Sequence, residues 1–371
     1  MDRKIDCKAL KLNIIKIELS ELESFVNSET VKQFEVTPIS MLRVQSYIHN
    51  PHGLPNDVVL YVGLIEEKLV AFRTIFAGLV QTENETQRFG WCSGNWVHPG
   101  FRRKGFSEQL LNEALADWNG KLMFTNYAPN SEKLYLKTGK FSVVHQFQGF
   151  RGYLFPKTTK LISFAQKNRV AQIGFSIIDS LIFVFALART WFYRSVSEAD
   201  INFEVLNLPD AACYDSLKNN SVRYYFNREE QELRWIFKFP WIAENKPAEA
   251  ERYPFSSYSN DFKYYSVKVF DEKILAGFFI FSVRNGHLKT LFFNLPARFD
   301  HAVAVFLKQF CINQKIEVIT VYNSGVARQL FSRKFPFLRA KKYGQKIYSS
   351  FEIKNQQTHR FQDGDGDVIF T

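Results

Sequence analysis

Hydrophobic residues in the first part of the chain follow two periods, one typical of strands and one typical of helices. Residues 57–81, DVVLYVGLIEEKLVAFRTIFAGLVQ, form two apolar runs separated by the charged turn Glu66–Lys68. This pattern predicts a β-hairpin. Residues 90–99, GWCSGNWVHP, predict a further strand, and residues 106–119, FSEQLLNEALADWN, place their apolar positions at helical spacing.

The same two periods continue beyond this helix. Residues 121–129 predict a short apolar strand, and residues 130–141, NSEKLYLKTGKF, predict a short helix that ends at Gly139. Residues 141–155 predict one or two more strands. The first 155 residues therefore indicate a mixed α/β fold with hairpins.

A long apolar segment follows, in which nearly every residue from 173 to 188 is apolar and Asp179 interrupts the run. It is shorter than a usual transmembrane span. Its polar residues line one helical face, and basic residues flank both ends. Two interpretations remain open: a helix packed between domains, which we favour, or peripheral contact of residues 171–192 with an anionic membrane surface.

The second half of the chain partly repeats the first. EEKLVA (residues 66–71) matches DEKILA (271–276), and LYLKTGKF (134–141) matches LFSRKFPF (330–337). The matched points are about 200 residues apart and occur in the same order, as expected for a tandem duplication.

The length of 371 residues also favours two domains. We predict an α/β fold with a mixed sheet in each of two tandem domains joined by a hydrophobic helix. The expected ranges are 1–155 for the first domain, 156–198 for the helical linker and 199–371 for the second domain.

Charge and cysteine content narrow the class of protein. The net charge is +11, which suits an anionic partner such as a nucleotide cofactor, a nucleic acid or an acidic lipid. The four cysteines are far apart and form no C-x-x-C pair, so neither a zinc site nor a disulfide framework is expected. The N-terminal residues lack a signal-peptide pattern, and we expect a cytoplasmic protein, with membrane association left open.

The C-terminal sequence FQDGDGDVIFT spaces three aspartates as in a calcium loop. The chain ends before a distant glutamate ligand could follow Asp363, Asp365 and Asp367. We therefore predict an acidic turn before a short strand, and no metal site.

The residues that indicate chemistry are VHPGFRRKGFSEQLL, residues 97–111. Three cations, Arg102–Lys104, precede a helix whose N-terminus already carries partial positive charge. Free amides at a helix N-terminus bind anions, and Gly105 has no Cβ to block a close approach. Cations, amides and glycine together predict a site for a phosphate-containing ligand.

This segment resembles the acyl-CoA loop of the GNAT superfamily of N-acetyltransferases, in which a strand ending in Val-x-Pro precedes Q/R-x-x-G-x-G/A. Arg102 and Gly105 match that pattern, and Ser107 stands at its last small position. Residues 130–141 resemble the later helix-to-strand segment of the superfamily. The resemblance covers the chain as far as Leu154, and the second half only through the internal repeat.

The resemblance implies an N-acetyltransferase that uses acetyl-CoA, or another acyl-CoA, as co-substrate. Loop amides would hold the pyrophosphate, the Val97 main chain would hold the pantetheine arm, and Tyr135 would be the general acid that protonates the leaving thiolate. The implied cofactor-binding residues are Val97, Arg102, Arg103, Lys104, Gly105, Phe106, Ser107 and Asn130.

The general base is not evident from the sequence. Many superfamily members carry a carboxylate on the strand before the loop, but residues 90–96 contain none. Glu83 and Glu85 lie in the preceding loop, and a water relayed through Ser93 or Asn95 is the other option. The expected catalytic residues are therefore Tyr135, Glu83 and Ser93.

The second half has lost these features. Alignment on the two prolines places Phe299 at the position of Arg102, with Ala302 and Ala304 at the other two loop positions. Asp300 adds a negative charge there, and Phe331 falls where Tyr135 lies. We expect a degenerate GNAT-like domain that serves substrate binding or structure.

Three functions remain open. The first is an acyl-CoA-dependent N-acyltransferase whose acceptor is a primary amine of a small molecule, an amino sugar or a peptide. The second is a Fem-type aminoacyl transferase that uses aminoacyl-tRNA, and the third is a catalytically inactive binding or scaffold protein. The basic glycine loop of the first half favours acyl-CoA and an amine acceptor as partners over nucleic acid.

Overall fold

A computed structural model of the chain divides it into two compact units, called unit 1 and unit 2 below. Unit 1 comprises Met1–His145, Tyr224–Ser259 and Lys346–His359, and unit 2 comprises Gln146–Arg223, Asn260–Gln345 and Arg360–Thr371. The structure describes residues 11–82, 85–126, 129–161, 169–193, 200–218, 222–246, 248–353 and 359–370.

Helices and strands alternate along the chain in the mixed manner that the sequence predicts. The strands are β1 (Asn13–Glu18), β2 (Val58–Ile65), β3 (Lys68–Gln81), β4 (Thr86–Val97), β5 (Leu122–Thr125), β6 (Ser142–Tyr153), β7 (Ile201–Leu206), β8 (Arg223–Tyr224), β9 (Phe262–Asp271), β10 (Ile274–Arg284), β11 (His287–Asn294), β12 (Val318–Val321), β13 (Arg339–Ser349) and β14 (His359–Arg360). The helices are α1 (Leu22–Val26), α2 (Glu29–Gln33), α3 (Met41–Ile48), α4 (Phe106–Asp117), α5 (Pro129–Lys137), α6 (Thr158–Leu161), α7 (Arg169–Trp191), α8 (Ala211–Lys218), α9 (Glu230–Lys238), α10 (Asp300–Asn313) and α11 (Ser324–Ser332).

Neither unit is a continuous stretch of chain, which differs from the expected ranges 1–155 and 199–371. Unit 1 gains residues 224–259 and 346–359, and β6 passes into unit 2 after its fourth residue. Distant segments of the chain can pair as neighbouring strands. A repeat in the sequence therefore does not show which distant segments complete the sheet of each unit.

The sheet of unit 1 has the order β1-β2-β3-β4-β5-β13. The predicted hairpin is confirmed as β2 and β3, joined by a turn in which Glu66 and Glu67 have positive φ. β4 and β5 run parallel and pair at Gly90–Leu122 and Trp91–Met123, after which β4 continues towards the glycine loop paired with β3 and no longer with β5. The two strands therefore leave a gap between their carboxyl ends.

A β-bulge in β4 lies beside this gap. Thr74 of β3 pairs with Gly94, whereas the next residue, Ile75, pairs with Cys92. Ser93 is thus the extra residue, and the bulge changes the face towards which the following side chains point.

The sheet of unit 2 has the order β13-β6-β12-β11-β10-β9-β7. β11 and β12 are its parallel pair, in register from His287–Val318 to Lys289–Thr320. Its core is aromatic where β10 meets α10, because Phe279 packs on Phe306 and Phe281 packs on Phe310. Unit 2 therefore has a parallel strand pair like that of unit 1, but a different set of side chains forms its core.

The acidic tail fills the gap beyond the parallel pair of unit 2. Residues Asp363–Gly366 form a 3-10 helix against β11. The Asp363 carboxylate accepts two hydrogen bonds, one from the backbone N–H of Asn323 at 2.5 Å and one from the Thr290 hydroxyl at 3.3 Å. Asp363 therefore joins β11 to the N-terminus of α11, because Asn323 is the N-cap of that helix.

The prediction of an acidic turn is confirmed, although no strand follows it in the described residues up to 370. The three carboxylates have separate partners: Asp365 accepts the Gln362 amide, and Asp367 pairs with Lys289. Among the described residues, no group of three acidic, histidine or cysteine side chains could hold a metal ion.

The apolar helix α7 belongs to unit 2. Within the described part of the chain it is the one helix, over Val170–Trp191, that is long and apolar enough to cross a membrane, and 6% of its apolar window is buried. Packing between domains requires more burial than this, so the interpretation that we favoured from the sequence is not supported.

We predict that Asp363 makes the stability of unit 2 dependent on pH. Burial raises the pKa of Asp363 from 3.8 to about 7. The folded state therefore binds a proton that the unfolded state releases, so the free energy of unfolding should fall as pH rises from about 4 to about 7, by up to about 1.4 kcal/mol per pH unit. Asp363→Asn cannot ionise, and urea unfolding at pH 5 and pH 8 should show a smaller loss for this variant than for the wild type.

Asp215→Asn is the matched control, because the side chain of Asp215 is 70% exposed and pairs with Lys218. It should keep the wild-type slope of unfolding free energy against pH. Parallel profiles for the wild type and Asp363→Asn would contradict the prediction.

Candidate active site

The glycine loop of unit 1 leads directly into α4. Gly105 is the N-cap with φ 81°, and a Cβ added to it would meet nothing within 4 Å. No side chain caps the helix, so amides of the first turn are left without an acceptor inside it. The Arg102, Arg103 and Lys104 side chains are exposed around the loop. Free amides, cations and open space thus meet at one helix end.

Phe106 and Ser107 contribute to the loop through their backbone. The Phe106 side chain is buried in the core of unit 1. The Ser107 hydroxyl points towards β4, where it donates to Asn95 Oδ1 at 2.7 Å. Their predicted role in binding a phosphate is therefore left to their amides.

A buried arginine that the sequence reasoning missed lies beneath this loop. Arg73, on β3, is 0% exposed. It donates to Tyr135 Oη at 2.6 Å, to Asn95 Oδ1 at 3.3 Å and to the Ser107 carbonyl at 3.4 Å. Its Nε has no partner, and no carboxylate forms an ion pair with it among the described residues.

A buried cation held only by neutral acceptors is costly, because the lost hydration is not replaced by an opposite charge. The positive end of the α4 dipole adds to the potential, since Arg73 bonds the first turn of that helix. The site is therefore strongly electropositive and suited to an anion.

Tyr135 lies on α5 against this arginine. Its ring stacks on Phe124 with centroids 3.9 Å apart, and it is buried. Burial raises the pKa of Tyr135, and the charge of Arg73 opposes part of that rise. The phenol therefore keeps its proton near neutral pH, as a general acid must.

Cys92 lies on the same face of β4 as these residues. Burial raises the pKa of its thiol, and the Arg73 charge opposes part of the rise. The thiol form therefore dominates near neutral pH, which does not suit a nucleophilic role.

Ser93 lies on the opposite face of the sheet from Tyr135. Arg73 and Thr74 are neighbours on β3 and so point to opposite faces. Ser93 Oγ bonds with the Thr74 hydroxyl at 2.9 Å and with Tyr47 Oη, whereas Tyr135 bonds with Arg73. The structure thus does not bring the two predicted catalytic residues together.

Aromatic and basic side chains surround Ser93 on its own face. Arg43 donates to the Ser93 carbonyl at 3.3 Å and lies 3.9 Å from the centre of the Trp241 ring. Trp235 of α9 donates to the Ser46 carbonyl at 2.7 Å. Residues 228–244, which the repeat assigns to the second half, therefore help to build unit 1.

The predicted general bases have different outcomes. Glu83 lies outside the described residues, and the side chain of Asn130 does too. Glu85 is exposed and bonds with Gln87 at the far end of the β3–β4 hairpin. It is roughly 30 Å from Asn95 along β4, at about 3.3 Å per residue. The expectation that Glu85 reaches the site is therefore wrong.

Val97 ends β4 beside the glycine loop. Its carbonyl accepts a hydrogen bond of 3.4 Å from Arg102 Nε. One loop cation thus contacts the strand end that the resemblance assigns to the pantetheine arm.

No protein-family model matches the sequence, and no curated protein matches it significantly. Solved structures do match. A protein from Enterococcus faecalis V583, described as a probable N-acyltransferase, has a TM-score of 0.50 at 11% identity over 91% of this chain and 72% of that one. This chain therefore shares the fold of that protein. At such identity the likeness shows the fold alone.

Two further similar structures have lower TM-scores. A tandem GNAT protein from the clavulanic acid biosynthesis pathway has 0.48 at 10% identity, covering 93% of this chain and 100% of that one. A GCN5-related N-acetyltransferase from Anabaena variabilis has 0.48 at 12% identity, covering 91% and 72%.

Among its described residues, unit 2 has no counterpart of this site. Phe299, at the position of Arg102, is 2% exposed and belongs to the hydrophobic core. Phe331, at the position of Tyr135, packs on Phe337. The tail with Asp363 occupies the gap beyond the parallel strands.

We predict that Arg73→Met separates stability from ligand binding. Methionine removes the desolvation cost of the buried cation but leaves Tyr135 Oη and the Ser107 carbonyl without their donor, so the two effects should offset and thermal unfolding should change little. Affinity for acetyl-CoA should fall at least tenfold, about 1.4 kcal/mol, because the cation beneath the loop is lost. Thermal melts and calorimetric titration measure the two effects.

Arg88→Met is the matched control, because Arg88 is a β4 arginine with an ordinary ion pair to Asp57. It should destabilise unit 1 more than Arg73→Met and leave acetyl-CoA affinity unchanged. If instead Arg73→Met is the less stable variant and keeps full affinity, Arg73 is structural.

Proposed function

We propose that the protein is an acyl-CoA-dependent N-acyltransferase, with acetyl-CoA as the expected donor and a primary amine as the acceptor. The observation that supports this most is Arg73, a fully buried cation that pairs with no carboxylate among the described residues and lies beneath an open glycine loop. An acyl-CoA supplies both anions that such a site suits: a pyrophosphate, and a thiolate that forms as the thioester breaks.

The loop would bind the pyrophosphate through the amides from Arg103 to Ser107. Gly105 leaves room for a phosphate, and the three exposed cations add charge complementarity. The pantetheine arm would extend along the free end of β4 near Val97, where β4 no longer pairs with β5.

Tyr135 would protonate the leaving group. The amine nitrogen attacks the thioester carbon, the C–S bond breaks, and the sulfur takes the phenol proton. The resulting phenolate is stabilised by Arg73, whose guanidinium already donates to that oxygen at 2.6 Å. The amine loses its proton to water, and a proton from water then returns to the phenolate to restore the phenol.

The acceptor would bind on the face of β4 that carries the Ser93 bulge. Tyr47, Trp241 and the Arg43 guanidinium over that ring form a buried, partly aromatic cluster beneath that face. Aromatic rings with adjacent hydrogen-bonding groups suit an amino sugar, a peptide or another amine of small size. Unit 2 would then serve structure, because its counterpart of the cofactor gap is filled by its own tail.

Gly105→Glu should abolish binding of acetyl-CoA. The added carboxylate would occupy the open space in front of the helix N-terminus and repel phosphate. Gly120→Glu is the matched control, since Gly120 has φ 72°, follows the other end of α4 and also has nothing within 4 Å of an added Cβ. Both changes strain a positive φ, so only the loss of affinity in Gly105→Glu by titration calorimetry tests the site. Equal affinities would contradict the proposal.

Tyr135→Phe should lower turnover without weakening acetyl-CoA binding. Loss of a general acid typically costs about 10²-fold or more in rate. Release of free thiol from acetyl-CoA can be followed against glucosamine, spermidine and a lysine peptide. Tyr348→Phe is the control, because Tyr348 stacks on the same Phe124 but donates to Glu132. Unchanged thiol release in Tyr135→Phe would remove the proposed acid.

A further inference from the structure

We propose that a groove in unit 2, at the C-terminal end of α7, binds the anionic headgroup of a phospholipid while the outer face of α7 lies in the bilayer surface. This proposal concerns membrane binding and does not depend on the proposed acyl transfer.

The outer face of α7 is apolar and exposed. Ile177, Leu181 and Val184 lie on one helical face and are 60%, 67% and 64% exposed. Trp191 and Phe192 continue the apolar surface past the end of the helix, and both are exposed. Apolar surface on this scale marks a contact with a partner or a membrane.

The inner face of α7 is held by unit 2. Phe175, Asp179, Ile182, Ala186 and Thr190 follow one stripe of the helix and are the more buried positions. Asp179 accepts hydrogen bonds from the amide and hydroxyl of residue 158, both at 2.5 Å. A helix fixed to its own domain along one stripe is suited to lie in the membrane plane with the other stripe in lipid.

The groove lies where this apolar surface ends. It has a volume of about 540 Å³ and is formed by the end of α7, by α10 and by α11 with the segment that follows. Three basic side chains contribute to its wall, His301, Lys308 and Arg333, beside the aromatic rings of Tyr193 and Phe335. Among the described residues, no carboxylate contributes to this wall.

The environment of Lys308 is a second observation that favours an anionic ligand in the groove. It is 7% exposed, yet among the described residues it forms no ion pair with a carboxylate. Its Nζ donates to the Phe335 carbonyl at 3.4 Å and lies 5.5 Å from the centre of the Tyr193 ring. Burial and the nearby charge of Arg333 lower the pKa of Lys308. An anion between the two cations would favour the charged form of Lys308 and so oppose this lowering.

A lipid phosphate fits these observations better than a free anion does. The basic groove is continuous with an apolar surface through Phe192 and Tyr193, so one amphiphile can satisfy both. The net charge of +11 acts in the same direction, since anionic lipid surfaces attract basic proteins.

Flotation of the full chain with vesicles tests the proposal. The wild type should bind phosphatidylcholine vesicles that contain phosphatidylglycerol more strongly than vesicles of phosphatidylcholine alone. Arg333→Glu should weaken binding to the anionic vesicles about tenfold. Leu181→Asp should weaken binding to both kinds of vesicle, because it places a charge on the apolar face.

Lys263→Glu is the charge-matched control, because Lys263 is exposed on β9 of the same unit and does not line the groove. It should retain most of the binding, and thermal melts check that every variant is folded. Equal binding to both vesicles, or equal losses in Arg333→Glu and Lys263→Glu, would overturn the headgroup site. Binding of inorganic phosphate at the groove by a protein that ignores vesicles would overturn it as well.

Discussion

The contact between Arg73 and Tyr135 is the constraint on which the candidate site of unit 1 depends. The side chain belongs to β3, yet its guanidinium donates to groups on β4, α4 and α5, so one side chain connects the three elements around the candidate site. Its burial without a carboxylate is unfavourable for folding, since neutral acceptors replace only part of the hydration of a cation. A buried cation of this kind is expected where its charge contributes to binding or catalysis. The α4 N-terminus and the exposed loop cations concentrate positive potential at the same place.

Local features of this site could be read from the sequence, and tertiary features could not. The hairpin, α4 and the Gly105 loop depend on residues a few positions apart, and these predictions agree with the structure. Arg73 stands in the apolar run LVAFRTIF, and its partner Tyr135 is 62 residues away. Ser93 was judged by its position in a strand, but a bulge decides which face it joins. No periodicity argument reports a bulge or a contact of that separation.

Helix α7 shows a related limit. The sequence pattern places the polar residues of α7 on one face, but only Asp179 among the central ones is turned inward, whereas Ser176 and Ser180 are exposed. It does not say which face meets the protein, and for a soluble helix the apolar face is the usual answer. Here the carboxylate of Asp179 faces inward because it caps the start of α6, where residues 158 and 159 donate to it. With Asp179 turned inward, Ile177, Leu181 and Val184 are left on the exposed side.

The two units have similar strand arrangements but differ in the charges that surround their helix N-termini. A helix that starts beside a gap in a sheet favours negative charge at its N-terminus. Unit 2 supplies that charge from its own chain, since Asp300 opens α10 and Asp363 accepts the Asn323 amide at the start of α11. Unit 1 opens α4 with Gly105 and three cations and places Arg73 beneath them. The first turn of α4 contains one acidic residue, Glu108, against three loop cations and Arg73, and the proposed anionic substrate would complement this excess of positive charge.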